Sequence, residues 1–189
     1  AAGVQPGDDV VVSPRTFVAT GSAVAMLKAT PVFADIDPDS GNVTAETLAE
    51  ALTPKTTAIV VVHAFGWPAD MRAIMPLAEK HNLKVIEDCA QAHGATIDGQ
   101  RVGSVGHLGA FSFCQDKIMT TGGEGGAVTT DCPQLWERAW SFKDHGKSWD
   151  ACYNDRHETV FKWLHESVGT NWRMTEMQGA LGRVAVRRL

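Results

Sequence analysis

Short runs of β-branched residues alternate along the chain with segments of helical periodicity, and this alternation constrains the fold more than any other feature. The pattern is typical of βαβ units, whose strands lie parallel in one sheet. The run 59–62 is apolar at every position, as expected for a strand buried on both faces. The predicted strands are 9–14, 31–36, 57–63, 84–89, 109–113 and 126–130, and the predicted helices lie near 17–29, 44–52, 70–82, 133–143 and 175–189. The sequence therefore predicts an α/β fold with a mostly parallel sheet.

Residues 144–170 differ from the rest because they are polar and aromatic without a steady period, and we predict a long loop there. Loops of that length in compact domains are usually functional or disordered. After this segment, Thr175 and Gln178 have capping-box spacing, which predicts the start of a helix. The helical pattern is still running at Leu189, and the chain begins just before a PGD turn. We therefore expect a chain that is truncated at both ends.

The composition is that of an ordinary globular protein, with 44% hydrophobic and 21% charged residues among 189. A net charge of −5 argues against a nucleic-acid partner, because such proteins usually carry a basic face. No signal peptide or membrane-spanning apolar run is visible, so no membrane partner is expected. The four cysteines are irregularly spaced without a CxxC pair, which favours a reducing cytoplasm over a disulfide scaffold.

Polar side chains occur where several of the predicted strands end. His63 ends one strand, Asp88 and Gln91 follow the next, and Ser112 and Lys117 close or follow a third. In open α/β sheets, ligands bind outside the carboxyl ends of the strands. If the strands near residues 86 and 111 are parallel neighbours, Asp88 and Lys117 face one crevice.

An acid and an amine in one crevice have several interpretations. On these residues alone, a structural ion pair at the strand ends is about as well supported as a functional site. A metal site built from His63, Asp88, Cys89 and His93 lacks HxH, HExxH or paired-carboxylate spacing, so no metal is predicted. The TTGGEGG run matches neither common phosphate-loop pattern, and no GxSxG marks a serine hydrolase. A further interpretation is a lysine that forms a Schiff base with an aldehyde cofactor, beside an aspartate that faces a pyridine nitrogen.

Longer stretches of the sequence resemble one family. The chain contains, in order, VIEDCAQAHGA (85–95), GSVGHLGAFSFCQDKIMTTGGEGG (103–126), KDHG (143–146) and VGTNWRMTEMQGALGR (168–183). Together these segments strongly resemble the sugar aminotransferases of the DegT/DnrJ/EryC1/StrS family. The resemblance covers essentially the whole chain.

The resemblance implies a pyridoxal-phosphate-dependent transferase of fold type I, the aspartate aminotransferase fold. Its large domain is a three-layer αβα sandwich with a mostly parallel sheet, and residues 1–189 match the central part of that domain. Family members carry a phosphate-binding loop upstream of the PGD turn and a small C-terminal domain downstream of RVAVRRL. We expect both to be absent from this chain.

Position by position, the resemblance implies roles for six residues. Lys117 matches the lysine that binds pyridoxal 5′-phosphate, and Asp88 matches the partner of the ring nitrogen. Gln91 matches a residue beside the ring, near its phenolic oxygen. Phe17 matches an aromatic residue that stacks on the ring, and Ser112 matches a phosphate ligand.

The sixth residue, Asn171, matches an asparagine that reaches the phosphate of the neighbouring subunit. The resemblance therefore implies a homodimer with a shared active site. His93, His145 and Arg173 also lie in matching motifs, but they receive no role.

The implied reaction moves an amino group from glutamate or glutamine to a nucleotide-linked keto sugar. Such reactions serve the biosynthesis of lipopolysaccharide and other cell-surface polysaccharides, or of natural-product sugars. A related sugar 3-dehydratase uses the same cofactor, but those relatives replace the lysine with histidine, so Lys117 argues against it. A synthase of aromatic amino acid precursors remains open, and so does a catalytically inert fragment.

Overall fold

The computed structural model describes residues 1–154 and 164–189. One sheet is built from β1 (Asp9–Val12), β2 (Thr30–Phe33), β3 (Thr56–Val62), β4 (Lys84–Asp88), β7 (Leu108–Ser112) and β8 (Gly126–Thr129), and a separate hairpin from β5 (Thr96–Ile97) and β6 (Gln100–Arg101). The helices are α1 (Ala19–Met26), α2 (Ala45–Ala51), α3 (Met71–Lys80), α4 (Pro133–Lys143) and α5 (Glu176–Val186). Every predicted strand and helix is present, with bounds that differ by at most about three residues from those predicted. The hairpin was not predicted, because its strands are only two residues long.

The main sheet is mostly parallel, as predicted. Its strand order is β2-β1-β3-β4-β7-β8, and only β8 runs antiparallel to its neighbour. In the register of the central strands, Asp88 lies opposite Val62 on β3 and opposite Ala110 on β7. The prediction that the strands near residues 86 and 111 are parallel neighbours is confirmed.

Helices cover both faces of the sheet, because alternate side chains of each strand point to opposite faces. Val11, Ile59 and Val61 pack with Leu48 of α2 and with α3 in one apolar core. A second core joins the intervening strand residues to α1, and its buried members are Val10, Val12, Val24, Ala29, Ala58 and Val60. The predicted three-layer αβα sandwich is therefore confirmed.

Helix α5 begins at the predicted capping box. The Thr175 hydroxyl accepts a hydrogen bond from the Gln178 amide, and the Gln178 side-chain oxygen accepts one from the Thr175 amide. None of the helices in the described part of the chain has the length and apolar character needed to cross a bilayer.

The described part of the predicted loop 144–170 packs against the end of α4 and contains one short helix, Asp150–Asn154, and its residues 155–163 lie outside the described ranges. Asp144 pairs with Asn171 in an isolated antiparallel bridge and forms an ion pair with Arg173 at 2.6 Å. Burial raises the pKa of Asp144, but hydrogen bonds from Lys147 and Arg173 outweigh burial, so the pKa falls to about 2. The KDHG and GTNWRM motifs are therefore held together by one buried carboxylate.

Candidate active site

A cavity of about 380 Å³ opens at the carboxyl ends of β3 and β4. This volume lies within the usual range of small-molecule sites. The lining residues are Pro14, Arg15, Thr16, Phe17, Val62, His63, Ala64, Phe65, Asp88, Ala90, Gln91 and Lys117. The position agrees with the rule that open α/β sheets bind ligands at this edge.

Four of the predicted site residues meet on this cavity. Phe17 lies just before α1, Asp88 ends β4, Gln91 follows it, and Lys117 lies in the turn after β7. Asp88 and Lys117 are half-buried, whereas the Phe17 side chain is exposed at the rim. The sheet topology therefore brings together an amine, a carboxylate and an aromatic ring.

Two hydrogen bonds hold the Asp88 carboxylate. Its Oδ1 accepts one from the Ala90 amide at 3.1 Å, and its Oδ2 accepts one from the Thr20 hydroxyl at 3.1 Å. The Thr20 hydroxyl is in turn 2.7 Å from that of Thr16. The sequence analysis did not identify Thr20, because only the fold brings α1 against the end of β4.

The loop that carries Lys117 is closed by its own backbone. The Lys117 amide donates to the Cys114 carbonyl, and the Thr121 amide donates to the Phe113 carbonyl. A side chain at Gly125 would collide with Thr121, and one at Gly122 would lie 2.6 Å from Leu181 of α5. These glycines of TTGGEGG make room for the loop to close and to pack against α5.

Gln91 shapes the cavity wall. Its Oε1 accepts a hydrogen bond from the Phe65 amide at 2.9 Å, and Phe65 has a left-handed backbone with φ 54°. The Arg15 guanidinium lies 5.0 Å from the centroid of the Phe65 ring, close enough for a cation–π interaction. Arg15 and Phe65 are further lining residues that the sequence analysis did not identify.

Beneath the cavity, Glu87 and His63 form a buried hydrogen-bonded pair at 3.0 Å. His63 Nδ1 accepts from the Ala69 amide, so Nε2 carries the proton and donates to Glu87. The Glu87 carboxylate also accepts from the amides of Gly103, Val105 and Gly106. Burial raises the pKa of Glu87, but the hydrogen bonds outweigh burial and hold that pKa below its ordinary value.

The metal alternative gains no support from the described residues. His63, Glu87 and Cys89 bring their ligand-type atoms within 4.8 Å of one another, but Asp88 and His93 are not in this group. Both nitrogens of His63 and both oxygens of Glu87 already have hydrogen-bond partners. Burial, followed by the charges of Glu87 and Asp88, raises the pKa of the Cys89 thiol. The group is a satisfied hydrogen-bond network.

Ser112 and Asn171 do not line the cavity. Ser112 Oγ accepts from the Cys114 amide at 3.4 Å, and Asn171 is exposed beside Asp144. The cavity lining therefore includes four of the six predicted site residues and neither predicted phosphate ligand.

The three motif residues without a predicted role lie outside the cavity lining. Buried His93 packs against the rings of Phe111 and Phe113. His145 donates its amide to the Thr170 carbonyl, and Arg173 pairs with Asp144.

Comparison with known proteins identifies the family. The sequence profile of the DegT/DnrJ/EryC1/StrS aminotransferase family matches residues 1–189. The chain belongs to this family. A curated relative from Acidithiobacillus ferrooxidans, UDP-N-acetyl-3-dehydro-alpha-D-glucosamine 3-aminotransferase, is 44% identical over 180 residues, which cover 95% of this chain and 46% of the relative.

Solved structures of aminotransferases share the fold. An aminotransferase from Psychrobacter cryohalolentis superposes with a TM-score of 0.96 at 61% identity, covering 99% of this chain and 47% of that one. The PLP form of a Streptococcus pneumoniae protein described as a putative sugar aminotransferase superposes with a TM-score of 0.85 at 26% identity, covering 99% of this chain and 50% of that one. The chain thus spans about half the length of the family members it matches.

Proposed function

We propose that the complete protein is a pyridoxal-phosphate-dependent aminotransferase that acts on a nucleotide-linked keto sugar. One observation carries this proposal: within a chain of an aminotransferase family, Asp88 and Lys117 line the same cavity at the carboxyl edge of the sheet. A structural ion pair accounts less well for these two residues, because no direct contact between them is found among the described residues and both face open space.

The residues on the cavity fit pyridoxal phosphate at its ring end. When bound, this cofactor supplies an aldehyde carbon and an electron-accepting pyridine ring. Lys117 would hold it through the Nζ amine, and Asp88 would accept a hydrogen bond from the protonated ring nitrogen. Phe17 would cover one ring face, since an exposed aromatic side chain suits stacking on a flat ring. Gln91 would lie beside the ring.

Lys117 also has a second role in the proposed reaction. With the amino donor bound, Lys117 Nζ would accept the donor Cα proton as general base and would then deliver that same proton as general acid. The turn after β7 is closed by its own backbone, and it would hold this amine near the reacting carbon, which supplies the proximity that an amine in solution lacks.

The proposal extends to substrate, donor and assembly. The similarity to the Acidithiobacillus ferrooxidans enzyme supports a nucleotide sugar as amino acceptor, and we propose glutamate or glutamine as donor. We assign the reaction to cell-surface polysaccharide or natural-product sugar biosynthesis in the cytoplasm. We further propose a homodimer in which Ser112 and the partner's copy of Asn171 bind the phosphate, which is compatible with the exposure of Asn171.

Covalent trapping tests the site. The complete protein is mixed with pyridoxal phosphate, reduced with borohydride and digested, and the pyridoxyl group is located by mass spectrometry. We expect the label on Lys117 and its loss in Lys117→Ala, whereas Lys55→Ala, which removes an exposed lysine, keeps it. A label on another lysine, or none, would refute the assignment.

Turnover tests the reaction class. We expect glutamate- or glutamine-dependent amination of at least one member of a panel of nucleotide keto sugars, and a loss of at least about 10³-fold in Lys117→Ala, since general acid–base catalysis contributes about 10²–10⁴-fold. Dehydration without amine transfer would favour the sugar dehydratase instead. Cofactor binding without any turnover would favour an inert protein or the synthase of aromatic amino acid precursors.

A further inference from the structure

Helix α1 begins beside the cavity, and the two hydroxyls at its start do not cap it. Threonine at a helix start usually accepts a hydrogen bond from a backbone amide of the first turn. Here α1 has no side-chain cap. The Thr16 and Thr20 hydroxyls instead lie 2.7 Å apart. The Thr20 hydroxyl also donates a hydrogen bond to Asp88 Oδ2 at 3.1 Å, although 68 positions of sequence separate the two residues.

The direction of these hydrogen bonds follows from their chemistry. An ionised carboxylate only accepts, so the single proton of the Thr20 hydroxyl points to Asp88. The Thr20 oxygen is then free to accept, and Thr16 must be the donor of the 2.7 Å contact. The two hydrogen bonds therefore run in one direction, with Thr16 donating to Thr20 and Thr20 donating to Asp88. Thr20 is buried, so water does not readily replace its hydroxyl.

We propose that Thr20 is a positioning residue that fixes the Asp88 carboxylate for the pyridine nitrogen of the cofactor, with Thr16 orienting Thr20. This inference rests on the proposed function. The Ala90 amide holds Oδ1 and Thr20 holds Oδ2, so the carboxylate cannot rotate freely about its Cβ–Cγ bond. Each oxygen keeps a further lone pair, and a fixed plane aims one of them into the cavity. Without Thr20, one anchor is lost and the orientation toward the ring nitrogen becomes variable.

Three variants of the complete protein test the proposal. Thr20→Val keeps the shape of the side chain and removes the hydroxyl, Thr20→Ser keeps the hydroxyl, and Ser22→Ala removes a hydroxyl of the same helix that donates only to the Val18 carbonyl. Affinity is measured by absorbance titration with pyridoxal phosphate and with its 1-deaza analogue, which has a carbon in place of the ring nitrogen.

We expect Thr20→Val to weaken pyridoxal phosphate binding about tenfold, as for loss of one hydrogen bond to a charged group, and to leave the affinity for the deaza analogue unchanged. Thr20→Ser should restore binding to within about threefold, and Ser22→Ala should match the wild type. Thr16→Val should weaken binding in the same direction but less. The deaza analogue offers no ring proton to Asp88, so a loss of positioning should not change its affinity. A purely structural role of Thr20 would instead affect both ligands equally.

Failure of the proposed function and failure of the positioning role of Thr20 give different results. If the wild type binds neither ligand, the proposed function fails. If the wild type binds and Thr20→Val is unchanged, or loses both ligands equally, the positioning role is refuted. A double variant gives a second criterion: in an Asp88→Asn background, Thr20→Val should cause no further loss, whereas an additive loss would contradict the proposal.

Discussion

Glu87 places a fully buried carboxylate between β3 and the turn that follows the hairpin. Four donors surround it: the His63 ring and the amides of Gly103, Val105 and Gly106. A buried charge is tolerated only when its lone pairs are satisfied, and here they are. Because Glu87 precedes Asp88 in β4, this network also fixes the strand end that carries the site carboxylate.

Replacing this carboxylate should destabilise the protein in a pH-dependent way. The pKa of Glu87 is lowered in the folded state, so its contribution is fully present above the unfolded value of about 4.3 and is lost as pH falls through the lower folded pKa. We expect Glu87→Gln to lower the free energy of unfolding by about 2–4 kcal/mol at pH 7, because the amide group meets N–H donors. The deficit should shrink below about pH 4.

Urea denaturation at pH 7 and at lower pH measures this deficit. Glu79→Gln is the matched control, since Glu79 is exposed on α3 and its replacement should change the stability little at either pH. A deficit for Glu87→Gln that is the same at every pH would show that packing, and not the charge, is responsible.

The site residues divide into those that the sequence could predict and those that it could not. Asp88 and Lys117 were predictable, because acids and amines at the ends of apolar strands suggest chemistry and the motifs around them resemble one family. Thr20 and Glu87 were not, since their importance lies in contacts that only the folded sheet creates. The roles of all six predicted site residues remain predictions, and Ser112 and Asn171 do not line the cavity.

At the scale of elements, helix α5 supports the loop that carries Lys117. Gln178 uses both ends of its amide: Oε1 accepts from the Thr175 amide at 2.9 Å, and Nε2 donates to the Glu124 carbonyl at 2.6 Å. Leu181 meets the same loop at Gly122. The predicted capping box thus also ties the helix start to the site.

Gln178→Glu separates the capping of α5 from the contact with the loop. A glutamate keeps an acceptor for the Thr175 amide, and its charge suits a helix N-terminus, but it cannot donate to the Glu124 carbonyl. We expect a loss of stability of no more than about 1.5 kcal/mol, together with about tenfold faster hydrogen exchange at the Thr121 and Phe113 amides, which close the loop.

Thr175→Ala is the comparison, because it costs about 1 kcal/mol of capping and keeps the Gln178–Glu124 contact. Exchange at the loop amides should then stay near the wild-type rate. Equal acceleration in both variants would mean that helix fraying, and not the contact, controls the loop.

Element prediction succeeded where the pattern was local. The apolar run of β3 predicted a buried strand, and Thr175 with Gln178 predicted a helix start. The β5–β6 hairpin escaped prediction because strands of two residues carry no periodicity. Packing of α5 on the glycine loop likewise depends on a contact between distant segments.

At the scale of the whole molecule, the largest described apolar core lies away from the cavity. The largest described core lies between the sheet and helices α2 and α3, and its fully buried members include Leu48, Ile59 and Ile74. The cavity lies at the carboxyl edge of the sheet and is lined by none of these three residues. Damage to the core should therefore leave the affinity of the site intact.

Leu48→Ala tests this separation in the complete protein. Removing a fully buried leucine side chain should lower the free energy of unfolding by about 2–5 kcal/mol. Pyridoxal phosphate at 100 times its Kd should add about 2.7 kcal/mol to the wild type and to Leu48→Ala alike, because ligand stabilisation depends only on concentration and Kd. Asp88→Asn should show the reverse pattern, with nearly normal stability without cofactor and a smaller gain with it. Denaturation of the three proteins with and without cofactor measures these free energies of unfolding, and a reduced gain in Leu48→Ala would show that core and site are coupled.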